Sequence, residues 1–181
     1  DLAELSPIEH RQIKEQISFY KQVRHTLQFG RFYRYQLPEM NKDVFLAVAP
    51  DQSHAVLSFV QTLATAGDSN DVLRVKGLDA NARYRLTAVP QKVSLARFGG
   101  LLKHIMPFTL RADGFILRTA NRVHALPDGP FSLCASGTAL QSGVGLNDQF
   151  IGTGYHKDLR LWGDFGSQLY VVELEQEEEA E

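Results

Sequence analysis

Paired carboxylates are the first chemistry to test for in this 181-residue chain. Two Asp or Glu groups about 5.5 Å apart, or roughly 6.5–9.5 Å apart, are enough to break a glycosidic bond. The supply is poor. Asp51, Asp68, Asp71, Asp79, Asp113 and Asp128 fall in turn sequences, where Asp accepts backbone N–H bonds, and Glu4, Glu9 and Glu15 sit on an N-terminal helix or its cap. Six further acids lie in residues 173–181. Asp164 is the exception, because Trp162 and Phe165 beside it could desolvate its carboxyl and raise its pKa. The favoured reading is still an aspartate accepting backbone N–H groups between Gly163 and Gly166. Whether Asp148, Asp158 and Asp164 meet in space is left open by spacing alone. Asp164-Phe165-Gly166 lacks the glycine-rich loop and catalytic loop of a kinase.

Nucleophilic and metal chemistry fare no better. No Gly-x-Ser-x-Gly elbow occurs, and no Cys/His cluster has zinc spacing. Cys134, between Leu133 and Ala135, reads as a core residue. His10, His25, His54, His104, His124 and His156 are scattered, and read as surface or satisfied side chains. The string Gly152-Thr153-Gly154-Tyr155-His156-Lys157 lacks the spacing and the following helix of a phosphate loop. No catalytic, cofactor-binding or metal residue is assigned, and no cofactor is expected. The aromatic cluster Phe29, Phe32, Tyr33 and Tyr35 is read as core packing rather than as a platform for stacking sugars, with one tryptophan in the whole chain.

The elements that would position such groups are of two kinds. Ser6-Pro7-Ile8-Glu9 is a capping box with proline at the first helical position, and Ile13, Ile17, Tyr20, Val23 and Leu27 follow at spacings of four and three. Gly30 stops this helix. No second helix follows to cover its stripe. From Arg31 the period turns toward two, and Phe32–Leu37, Val44–Val48, His54–Leu63, Val72–Val75, Arg83–Val89, Gly114–Arg118, Arg122–Leu126 and Gln168–Leu174 read as strands. Leu101–Leu110 fits a strand broken by Pro107 or a short helix before it, and is read as the strand. Residues 129–166 hold eight of the fourteen glycines and are read as turns and bulges. The expected fold is mainly β, an antiparallel Greek-key sandwich over residues 31–174, preceded by a helix in 1–30 and followed by a solvated acidic tail, 175–181.

Charge and composition narrow the partners. There are 19 basic against 21 acidic residues, and outside residues 173–181 the balance is 19 against 15, spread along the chain. Neither a nucleic-acid stripe nor a polybasic membrane patch is expected. No apolar run is long enough to span a membrane, the first residues lack the pattern of a signal peptide, and one cysteine suits a reducing compartment, so the cytoplasm is expected.

A set of motifs in fixed order adds a family. Leu5-Ser6-Pro7-Ile8-Glu9, Ile13–Lys21, Arg24, Leu27-Gln28, Gly30-Arg31-Phe32-Tyr33-Arg34, Lys76-Gly77-Leu78-Asp79 with Tyr84, and Gly163–Tyr170 together resemble the C-terminal region of bacterial family 36 glycoside hydrolases. These are α-galactosidases acting on melibiose and raffinose-type sugars. The resemblance implies a parent with an N-terminal β-supersandwich, a catalytic (β/α)8 barrel and a C-terminal β-sandwich, Leu5–Leu27 being the last barrel helix. It implies a retaining double displacement by two barrel aspartates whose motifs do not occur here, so no activity is expected of this chain alone. The implied partners are that barrel and further copies in an oligomer, with α-galactoside reaching the parent enzyme only. The competing expectation is an autonomous, lectin-like carbohydrate-binding module.

Overall fold

A computed structural model describes residues 5, 7–37, 41–63, 71–89, 92–93, 126–127, 131–146 and 165–175. The chain divides into two compact units, Asp1–Glu15 with Pro90–Gly129, and Gln16–Val89 with Pro130–Glu181. In the first, β6 (Lys92–Val93) pairs antiparallel with β7 (Leu126–Pro127). Of the expected strands, Gly114–Arg118 and Leu101–Leu110 lie outside the described residues, as does Arg122–Leu126 but for Leu126.

Helix α1 spans Pro7–Phe29, with proline at its first position and Glu9 in the first turn, where a negative charge meets the helix dipole favourably. The second unit is built on a six-stranded antiparallel sheet of β1 (Arg31–Leu37), β2 (Lys42–Val48), β3 (His54–Gln61), β5 (Arg83–Ala88), β8 (Ser132–Ser136) and β10 (Ser167–Leu174). Its order is β1-β2-β3-β10-β5-β8. Period-two alternation puts one residue in two on the core face. Val44 lies opposite Phe59, Leu46 opposite Leu57, Tyr170 opposite Leu57 and Ala88, and Val172 opposite Ala55 and Leu86. These side chains are buried together.

The same core takes Leu73, Val75, Leu78, Leu140 and Leu146 from a second layer. That layer is the ribbon of β4 (Asp71–Leu73) and β9 (Val144–Leu146), with the short helix α2 (Gly137–Ser142). Val75 follows β4 rather than belonging to it, and its N–H donates to the Leu140 carbonyl at 2.8 Å. A mainly β, antiparallel fold with one N-terminal helix is therefore as expected. The glycine-rich stretch differs from expectation, since residues 132–146 form β8, α2 and β9 rather than turns alone. Ser136 caps α2 by accepting from the Ala139 N–H at 3.2 Å, and Gly143 ends it at φ +131°.

The stripe read along α1 divides. Val23 is buried, together with Thr26, whereas Ile17, Tyr20 and Leu27 are about half exposed. Thr26 Oγ1 hydrogen-bonds His54 Nδ1 at 3.0 Å, on the sheet face opposite the core. The last turns of α1 are thus held on the reverse of β3, and Ile17 and Tyr20 lie beyond that contact, open to solvent.

Candidate functional site

The helix-to-sheet junction is the most constructed part of the second unit. Gly30 is needed there for close approach, because a Cβ on it would lie 2.3 Å from the Thr26 carbonyl oxygen and 2.6 Å from that of Val48. Beside it the turn between β2 and β3 brings Gln52 to φ +60°, a left-handed conformation that non-glycine residues seldom take. Gln52 N–H donates to the Ala49 carbonyl at 2.9 Å, and its side-chain Nε2 donates to the Gly77 carbonyl at 3.0 Å. Gly77 is itself left-handed at φ +82°, with the Tyr33 ring where a Cβ would stand.

Tyr84, fully buried, locks the two turns. Its hydroxyl donates to the Gln52 carbonyl at 3.0 Å and accepts from the Asp79 N–H at 3.1 Å. Tyr35 adds a third tie by donating to the Arg74 carbonyl, and burial pushes its phenol up to about 12. Between these turns and the end of α1 opens a cavity of ≈ 480 Å³, lined by Phe29, Arg31, Tyr33, Pro50, Gln52 and Gly77 among others.

The acids read as turn residues behave so where they are described. Asp51 accepts from the Ser53 N–H and hydroxyl at 3.1 and 2.8 Å, which holds its carboxyl below the usual range. Asp79 accepts from the Asn81 N–H at 2.9 Å. Asp71 differs, opening β4 opposite Leu146. Asp68, Asp113, Asp128, Asp148, Asp158 and Asp164 lie outside the described residues, as do His104, His124 and His156. Among the described residues, no group of three or more His, Cys, Asp or Glu could hold a metal ion, and no helix is long and apolar enough to cross a membrane.

Three more readings need correction. Cys134 is exposed, not core, because alternation along β8 turns Ala135 toward the core and Cys134 away from it. Its thiol donates to Glu175 Oε1 at 3.3 Å. Glu175, read as part of a solvated tail, is tied in as well. It receives Arg83 Nε at 3.4 Å and Arg85 Nη2 at 3.0 Å, and its N–H donates to the Arg83 carbonyl at 2.9 Å. The thiol and the two guanidiniums hold its carboxyl below the ordinary glutamate value. The aromatic cluster splits too. Tyr33 and Tyr35 pack on the core, but Phe29 and Phe32 are exposed.

His54 is a satisfied histidine, and burial lowers its pKa against the weaker opposing pull of Glu173 and Asp51. The unfolded chain therefore takes up this proton first. Stability should be fullest above the unfolded value of 6.5 and should fall as pH drops from there toward the folded value. Urea midpoints measured between about pH 8 and pH 5 should show that decline, and His54→Gln should flatten it.

The chain is similar to known proteins over most of its length. The glycosyl hydrolase family 36 C-terminal domain matches residues 42–172. Alpha-galactosidase AgaA of Geobacillus stearothermophilus is 39% identical over 87 residues, which make up 48% of this chain and 12% of AgaA. A crystal structure of an AgaA variant in complex with raffinose superposes with a TM-score of 0.58 at 25% identity, over 97% of this chain and 17% of that one. The alpha-galactosidase from Lactobacillus brevis gives a TM-score of 0.60 at 23% identity, covering 100% of this chain and 18% of its own, which is a likeness of fold. This chain thus spans a small part of the relatives it matches. With the family match covering both layers of the core, the chain belongs to the glycosyl hydrolase family 36 C-terminal domain.

Proposed function

We propose that this chain is the non-catalytic C-terminal domain of a retaining alpha-galactosidase acting on terminal alpha-galactosides of the melibiose and raffinose kind. Residues 1–30 serve as the final helix of the catalytic (β/α)8 barrel, residues 31–174 form the domain that braces it, and copies of the enzyme assemble into an oligomer. The observation that carries this reading is the open face of α1, where Ile17 and Tyr20 are each 48% exposed although the same helix is pinned by Val23 and Thr26. An apolar stripe on a well-formed helix is made to be covered. A barrel on its far side supplies the cover. The two aspartates of the double displacement belong to that barrel, and the working compartment is a bacterial cytoplasm, which suits the exposed thiol of Cys134.

Hydrolysis of a chromogenic alpha-galactoside tests it. This chain alone should be inactive, and the polypeptide extended upstream to include the barrel should be active. Hydrolysis by the chain alone overturns the reading. The exposed rings of Phe29 and Phe32 favour a second role, carbohydrate binding by the domain itself.

A further inference from the structure

We propose that the cavity at the junction of α1 and β1 is a saccharide-binding subsite, with a pyranose resting on Phe29 and its hydroxyls held by Arg31, Gln52 and the end of α1. The proposal deepens the carbohydrate-binding role and does not depend on the barrel. At ≈ 480 Å³ the cavity lies within the roughly 300–1,000 Å³ of small-molecule pockets, room for one or two sugar rings.

Its chemistry selects a neutral polyol. Phe29 is 66% exposed and Pro50 is exposed beside it, so apolar surface faces the opening. Aromatic faces of this kind take the C–H side of a sugar. Arg31 brings guanidinium donors. Gln52 spends Nε2 on Gly77, which leaves Oε1 as an acceptor. The end of α1 adds the Phe29 carbonyl as an acceptor, since the last carbonyls of a helix have no partner within it. Among the described residues, only the Thr26 carbonyl is taken by the chain beyond the helix, through Gly30 N–H at 2.9 Å. The last turn also carries no basic residue, so the negative end of the helix dipole is uncompensated within α1. An anion drawn to Arg31 would meet that dipole. A ligand rich in hydroxyls, each both donor and acceptor, satisfies both.

The site is also preorganised. Gln52 holds its left-handed backbone where glycine or asparagine would sit with less strain, and the Gly77 and Tyr84 bonds keep it there. A side chain is thereby kept at the rim of the cavity.

Amide NMR spectra of this chain titrated with raffinose test the subsite, with Phe29→Ala and Arg31→Ala as variants. Both side chains are exposed, so the folded spectrum should persist in each. Shifts should concentrate on residues 30–33, 49–52 and Gly77, with a dissociation constant on the order of 1 mM, typical of a shallow site with few contacts. Either variant should weaken binding about tenfold or more, one hot-spot contact being about 1.4 kcal/mol. Inorganic phosphate should leave these amides unmoved. No shifts, shifts elsewhere, unchanged affinity in both variants, or displacement of raffinose by phosphate overturns the subsite. Raffinose binding in a chain that gains no hydrolysis when extended upstream would keep the subsite and discard the enzyme-domain reading. Hydrolysis on extension without binding by this chain would do the reverse.

Discussion

Gly137→Ala should destabilise the chain by about 3 kcal/mol, the upper part of the usual range for overpacking. A Cβ at this position would lie 1.8 Å from the Asp79 carbonyl oxygen and 2.8 Å from its carbon, both backbone atoms that no rotamer change can move. Relief requires α2 to back away from the turn at residues 79–82. That turn is where its first residues are anchored, by Gly137 N–H on the Ala82 carbonyl at 2.8 Å and by the Thr138 hydroxyl on the Ala80 carbonyl at 2.8 Å. Retreat also pulls on Leu140, which is fully buried, and on Gln141 Nε2, bonded to the Leu78 carbonyl at 3.0 Å. Gly145→Ala is the matched control. Nothing lies within 4 Å of its Cβ position, and its backbone is outside the left-handed region. It should be neutral or slightly stabilising, by up to about 1 kcal/mol, through a less flexible unfolded chain. Urea midpoints of the two variants measure the contrast, and equal midpoints would show that α2 is not seated as described.

These two glycines also show where sequence reading stops. Residues 129–166 are dense in glycine and read as turns, yet 137 and 145 serve a close approach and a strand. The elements there are five, six and three residues long, too short for periodicity to register. A local signal did exist in Ser136 before Thr138-Ala139-Leu140-Gln141, a serine N-cap ahead of helix formers. Another lay in Ser132-Leu133-Cys134-Ala135-Ser136, whose alternation already turns Cys134 outward. By contrast, the limits of α1 were legible because proline at its first position and Gly30 past its end act locally. The central strands were legible because Val44–Val48 and His54–Val60 are dense in β-branched and apolar residues. The cavity was not legible at all. Phe29, Gln52 and Gly77 are brought together by sheet register, by the Gln52–Gly77 bond across 25 positions and by the Tyr84–Gln52 bond across 32.

Phe59→Ala should cost about 3–5 kcal/mol, while Phe32→Ala should stay within about 0.5 kcal/mol of the parent chain. Composition treats the two phenylalanines alike, but register separates them. Phe59 lies between Val44 of β2 and Gln168 of β10, with no solvent exposure, so its loss leaves a void that close-packed neighbours cannot fill. The ring also lies under the buried Lys42, whose Nζ is 5.7 Å from its centroid, and alanine removes that face from the ammonium as well. Phe32 pairs with Ala47 on the reverse face, is 63% exposed, and touches Phe45 at 6.5 Å between centroids. Truncating it gives up a partial stack already in water. Urea unfolding of both variants supplies the comparison. If Phe32→Ala proved as costly as Phe59→Ala, the register of β1 on β2 would have to shift by one residue, carrying Tyr33 and Tyr35 off the core and opening the wall of the cavity with them.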